Sequence, residues 1–141
     1  AIYQSEEAYF ADLCRMQEII FEQTGECAKL VRFPGGSSNT VSHFNPGIMT
    51  RLTNDLNDMG YAYFDWNVSA ADTASDATRY TVIENFKESV PKHDYSVVLQ
   101  HDTNAFSVDA VEEILSWGIK NGYSFRALDL TSPAVHHSVA N

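Results

Sequence analysis

At 141 residues the chain can bury one sizeable core, so a single compact domain is expected and a second independent one is not. Its formal net charge is −10 with only nine Lys and Arg, which argues against a nucleic-acid partner because binding phosphates needs clustered cations. The acidic residues are spread along a chain with 12% aromatics, the composition of a solvated globular surface rather than of a disordered tail.

In chain order, Glu6 to Thr24 places Tyr9, Leu13, Met16 and Ile20 on one face at helical spacing, with Ser5 as cap and Gly25 as stop. Leu30 to Phe33 reads as a short strand ended by Pro34, Gly35 and Gly36. Asn45 followed by Pro46 predicts a helix start, and Met49, Leu52, Leu56 and Met59 then run inward to a terminating Gly60. The aromatic-rich stretch Tyr61 to Trp66 is a second strand.

Ala77 to Val90 is helical with Tyr80, Ile83, Phe86 and Val90 inward and Pro91 as breaker; Tyr95 to Gln100 is a buried-type strand. Ser107 is placed to cap a helix carrying Val111, Ile114, Leu115 and Gly118, which stops at Asn121 and Gly122 before a last strand, Tyr123 to Leu128. The tail after Pro133 reads as irregular.

Strands alternating with helices imply βαβ units and a parallel sheet, an α/β fold. A closed (β/α) barrel needs about 250 residues and eight strands, so four strands make either a small open sheet or half of a barrel. Cys14 lies ten residues before the expected helix end at Thr24, about 15 Å along the axis. Three returning residues cover about 10 Å, so no bridge to Cys27 is expected. No stretch approaches the roughly 20 apolar residues that span a bilayer, and the first residues carry neither region of a signal peptide. Residue 1 is Ala rather than Met, which suggests that an upstream segment was removed.

Functional groups of parallel α/β folds gather at the carboxyl ends of the strands, where the loops converge. Arg32 stands at the end of the first strand, Asp72 in the loop after the second and His101 just after the third. Each has a plainer reading: Arg32 a surface charge at a strand end, Asp72 a cap for the next helix, His101 a structural histidine. Asp65 and Trp66 read as strand-end packing and turn residues. His43 and His93 sit beside turn signals and read as solvated. Adjacent His136 and His137 point apart with no nearby Cys or Glu to complete a metal site. Asn67-Val68-Ser69 matches a glycosylation sequon, a pattern common by chance.

RFPGGS at 32 to 37, DWNVSAAD at 65 to 72, VVLQHDT at 97 to 103 and NGYSFRALD at 121 to 129 resemble the polysaccharide deacetylases of carbohydrate esterase family 4, above all the peptidoglycan N-acetylglucosamine deacetylases. The resemblance covers nearly the whole chain in motif order and spacing. It implies βα units from the carboxyl-terminal part of a distorted (β/α) barrel and metal-dependent hydrolysis of an N-acetyl amide. It assigns His101 as the general acid for the departing amine, Asp72 as the carboxylate that orients it and keeps it protonated, and Arg32 as the cation that positions the catalytic base. The Gly35 amide would face the developing oxyanion beside Pro34, and Leu99 would line the pocket of the acetyl methyl group.

Two departures matter. Thr73 stands where the family often has a Trp, which puts sugar stacking there in doubt. The family's aspartate pair and H-x-x-x-H motif, which supply the base and all the metal ligands, are absent, so the divalent metal, zinc by resemblance, would be held by ligands outside this chain. The expectation is therefore part of an N-deacetylase that is inactive alone. Its partners would be an acetylated glycan and its own amino-terminal segment or a second copy, acting outside the cell or at the cell wall. The alternatives are a remnant that binds acetylated glycan without catalysis, and a chain that assembles through the open edge of its Leu30 to Phe33 strand.

Overall fold

The computed structural model describes residues 1–141. The chain divides into two compact units, Ala1–Asp65 with Leu128–Asn141, and Trp66–Ala127.

In the first unit a 3-10 turn at Ile2–Gln4 leads into α1 (Glu6–Thr24), β1 (Leu30–Val31), α2 (Ile48–Asp58) and β2 (Ala62–Tyr63). α1 has the expected bounds for the expected reasons: the Ser5 hydroxyl accepts the Ala8 amide, and Gly25 turns left-handed with its N–H on the Phe21 carbonyl. Its expected buried face is incomplete, since Tyr9 is buried, Leu13 and Ile20 are half-buried and Met16 is exposed. α2 starts two residues past Pro46. Gly47 takes the cap position, while the Asn45 side-chain amide donates to the Tyr3 and Gln4 carbonyls and ties the start of the chain to this helix. Met59, expected inward, is exposed. β1 and β2 are parallel, Leu30 opposite Ala62 and Val31 opposite Tyr63, with α2 as the crossover. Tyr3, Tyr9, Phe33, Leu52, Leu56 and Tyr63 are at the centre of the core.

The second unit repeats the pattern with β3 (Val68–Ser69), α3 (Arg79–Ser89), a 3-10 turn at Val90–Lys92, β4 (Val98–Leu99) and α4 (Ala105–Lys120). β3 and β4 are parallel, Val68 opposite Val98 and Ser69 opposite Leu99. Thr78 caps α3 in a reciprocal hydrogen-bond pair with Thr81. Val82, Ile83 and Phe86 are buried, whereas Tyr80, expected inward, is 70% exposed. α4 begins at Ala105 after Asn104, so Ser107 is not its cap but a fully buried member of its first turn. Ala110, Ile114 and Gly118 face the core, and Val111 and Leu115 are exposed. α4 is apolar on more than one face, so spacing alone does not choose the stripe that packs.

The strands differ most from expectation. Leu30–Phe33, Tyr61–Trp66 and Tyr95–Gln100 each shrink to two paired residues, β3 forms in a stretch read as loop, and Tyr123–Leu128 forms no strand. A strand exists only where a neighbour accepts and donates its backbone hydrogen bonds, and this last stretch has none in the chain. Its rings pack instead: Tyr123 stacks on Trp117 at 5.7 Å, and Phe125 lies where a Cβ on Gly118 would come within 2.5 Å of its ring. Cys14 and Cys27 are both free and exposed. No helix is long and apolar enough to cross a membrane.

Candidate functional site

In the second unit the turn after β3 delivers Asp72 into the interior, only 2% exposed. Ala71, just before it, has φ 52, a left-handed backbone that costs a non-glycine residue about 1–2 kcal/mol, and the Ser69 hydroxyl accepts its amide. The two oxygens of Asp72 are separately engaged. Oδ1 meets His101 Nδ1 at 2.9 Å, while Oδ2 accepts the His101 backbone N–H at 2.6 Å and the Ser107 hydroxyl at 2.7 Å. The Asn104 side chain donates to the Asp72 carbonyl at 3.1 Å. Asp72 is not a helix cap; Thr78 performs that task.

Burial pushes the Asp72 carboxyl up, but hydrogen bonds from His101, Ser107 and the His101 amide outweigh it and hold the group below the ordinary carboxylate range. An ionised carboxylate only accepts, so the proton between them sits on His101 Nδ1. That leaves Nε2, on a side chain 29% exposed, without a hydrogen-bond partner in the chain. This is a ring fixed at one nitrogen and open at the other, the geometry of a group that passes a proton to a ligand. Leu99 is half-buried at the end of β4, and His101 follows two residues beyond the paired segment.

The first unit holds the glycine turn. Arg32 is exposed, and its side chain bonds only the Phe33 carbonyl, at 3.5 Å; it holds no carboxylate of this chain. The Pro34 carbonyl accepts the Tyr3 hydroxyl at 2.7 Å. Burial pushes Tyr3 up to about 12, with Arg32 pulling it down and Asp65 adding to the rise. Gly35 and Gly36 have φ 78 and 81, and a Cβ on Gly35 would fall 2.9 Å from the Asn39 Cβ, so close approach and backbone sign both select glycine. The Gly36 N–H closes the turn on the Phe33 carbonyl, whereas the Gly35 N–H bonds nothing in the chain.

Beneath this turn lies Asp65, 2% exposed, accepting the Ser37 amide at 2.8 Å, the Ser37 hydroxyl and the His137 amide at 2.9 Å. The tail read as irregular is therefore bound down. The Asp65 amide donates to the Val135 carbonyl, the Ala140 amide to the Ser37 carbonyl, His136 stacks on Tyr63 at 3.9 Å, and the His137 ring pairs with the Ser38 hydroxyl. Asp65 agrees with its reading as a strand-end packing residue, although its three donors were not foreseen, whereas Ser107, expected as a helix cap, is a buried donor to Asp72. The available signals were a carboxylate directly behind an apolar run and an Asn, a good cap, three residues before Ser107. The sequon amide is occupied: Asn67 donates to the Tyr95 carbonyl and accepts the Val97 amide. No three His, Cys, Asp or Glu side chains converge to hold a metal ion, so the residues of this chain do not fit the metal that the resemblance implies.

No family model matches the chain. It is 51% identical to the catalytic domain of a peptidoglycan N-acetylglucosamine deacetylase from Eubacterium rectale ATCC 33656, with a TM-score of 0.96 over 99% of this chain and 64% of that one. The chain is related to the polysaccharide deacetylases. The polysaccharide deacetylase Bc1974 from Bacillus cereus superposes with a TM-score of 0.69 at 26% identity over 91% of this chain and 61% of that one. A peptidoglycan-N-acetylglucosamine deacetylase of Bacillus cereus is 29% identical over 131 residues, 89% of this chain and 45% of that protein. The chain spans about half the length of the curated relatives it matches, 46% and 45%. Likeness to these catalytic domains bears out the α/β class with parallel βα units and the deacetylase resemblance expected from the motifs.

Proposed function

We propose that this chain is part of a metal-dependent polysaccharide deacetylase that hydrolyses the N-acetyl group of amino sugars in peptidoglycan or a related glycan, at the cell wall. The observation that carries this reading is the Asp72–His101 pair with Nε2 left open. Hydrolysis of the amide adds water to the carbonyl carbon and expels nitrogen, which must gain a proton to leave as an amine. His101 Nε2 is the donor, and Asp72 holds the ring at the opposite nitrogen. By resemblance, the Gly35 N–H, which bonds nothing within its unit, would donate to the oxygen that becomes negative as the carbonyl turns tetrahedral. Pro34 shapes the turn behind it, Leu99 lines the space for the acetyl methyl, and Arg32 has a guanidinium free for a carboxylate outside this chain.

The metal, zinc by resemblance, would be held by side chains outside this chain, and its chemistry is polarisation of the carbonyl and activation of water. On this reading the 141 residues alone release no acetate. Acetate release from N-acetylglucosamine oligomers by the intact enzyme tests it: His101→Ala lowers kcat by about 10²–10⁴-fold, the range of general acid catalysis. Undiminished release by that variant overturns the assignment.

We also infer that the remainder of the deacetylase domain, the length this chain does not share with its relatives, adds an extended segment along β1. β1 is paired on one side only. Beside it is a groove of about 230 Å³ lined by Tyr9, Leu13, Met16, Ile20, Leu30 and Val31 among others, largely apolar and suited to a strand. Amide exchange at Leu30 and Arg32 tests this.

A further inference from the structure

The Asp72 carboxylate has two oxygens, and only one serves the His101 ring. We infer that Ser107 is a positioning residue that acts on His101 through Asp72, its hydroxyl fixing the second oxygen so that the first stays aimed at Nδ1. This rests on the reading of His101 as the proton donor. Ser107 is fully buried in the first turn of α4, and its hydroxyl donates to Oδ2 at 2.7 Å. A hydroxyl in a helix's first turn ordinarily serves the helix itself. Here Asn104 takes the cap position, and the Ser107 hydroxyl is directed at a residue 35 positions away.

The His101 amide donates to the same oxygen, but it belongs to the residue being positioned and shares its motion. Ser107 supplies the independent anchor, because its backbone is locked in α4 by its N–H on the Asn104 carbonyl. Without the hydroxyl the carboxylate turns about its Cβ–Cγ bond, and the ring loses the single acceptor that selects its tautomer. The Gln100 side chain, which donates to the Ser107 carbonyl at 2.6 Å, braces the same turn from the end of the β4 segment.

The test separates this role from both folding and the function assigned to His101. Long-range nitrogen–proton NMR spectra of this chain at pH 8 read the His101 tautomer directly. The wild type shows the Nδ1–H form, Ser107→Ala a mixture of both, and Ser107→Thr, which keeps a hydroxyl, the wild-type pattern. An unchanged tautomer in Ser107→Ala overturns the inference. Should Ser107→Ala fail to fold, the wild type alone decides: a slowly exchanging Ser107 hydroxyl proton coupled to the Asp72 carboxyl carbon supports it, and a rapidly exchanging one refutes it. In the intact enzyme Ser107→Ala lowers kcat about tenfold at unchanged KM, the loss of one charge-assisted hydrogen bond, and Ser107→Thr restores it. Full activity in His101→Ala would refute the proton-donor reading while leaving the tautomer result standing.

Discussion

Replacing Asp65 should be among the most damaging single changes to the first unit, and its cost follows from three donors. The Ser37 amide, the Ser37 hydroxyl and the His137 amide all end on its carboxylate, and Ser37 and Asp65 are 0% and 2% exposed, so water cannot take its place. A buried donor left without an acceptor costs about 1–3 kcal/mol, and the three share one partner and do not add fully. Asp65→Ala is therefore expected to lose about 3–5 kcal/mol, a large part of the roughly 5–15 kcal/mol that holds a domain together. With a urea slope of about 1–3 kcal/mol/M, the midpoint by circular dichroism moves down by about 2 M. Asp65→Asn should be nearly as harmful despite its shape, because one oxygen facing donors becomes a donor itself. Ser37→Ala, which removes only the hydroxyl bond, costs about 1 kcal/mol. A wild-type midpoint for Asp65→Asn, or Ser37→Ala as damaging as Asp65→Ala, would refute the three-donor reasoning.

Acid should weaken the second unit through Asp72. Its folded carboxyl lies below its unfolded value, so its stabilisation is complete above the ordinary carboxylate range and is lost as pH falls through the lower folded value. Asp72→Asn should flatten that part of the stability curve between about pH 5 and pH 2, followed by urea midpoints. Along β1, the Leu30 and Arg32 amides should exchange rapidly in this chain alone and become protected by tenfold or more within the intact domain; equal rates in the two would refute the added segment.

Some of this protein was legible from local pattern alone. α1 could be read to the residue because Ser5, Gly25 and the apolar spacing are all information carried within one stretch of chain. The stops at Gly60 and Gly122 were equally local, both glycines turning left-handed where a helix ends. Arg32, Gly35, Asp72, Leu99 and His101 were named from motif letters and from the rule that loops after strands carry the chemistry. Of these, Asp72 and His101 are joined directly by a hydrogen bond.

What the tertiary structure decided is what depends on a distant partner. Tyr123–Leu128 has the residues of a strand but finds no neighbour to pair with, while Val68–Ser69 becomes a strand because Val98–Leu99 lies beside it. α4 buries the stripe of Ala110, Ile114 and Gly118 rather than that of Val111 and Leu115, a choice made by the surface of α3. Asp72 meets His101 across 29 positions and Ser107 across 35, and no local spacing encodes such meetings. The sequence determined the bounds of α1 and the turns at Gly25, Gly60 and Gly122, because those energies are local. Only the packed structure brought each carboxylate to its donors, because desolvation and hydrogen bonding act between residues the chain must first bring together.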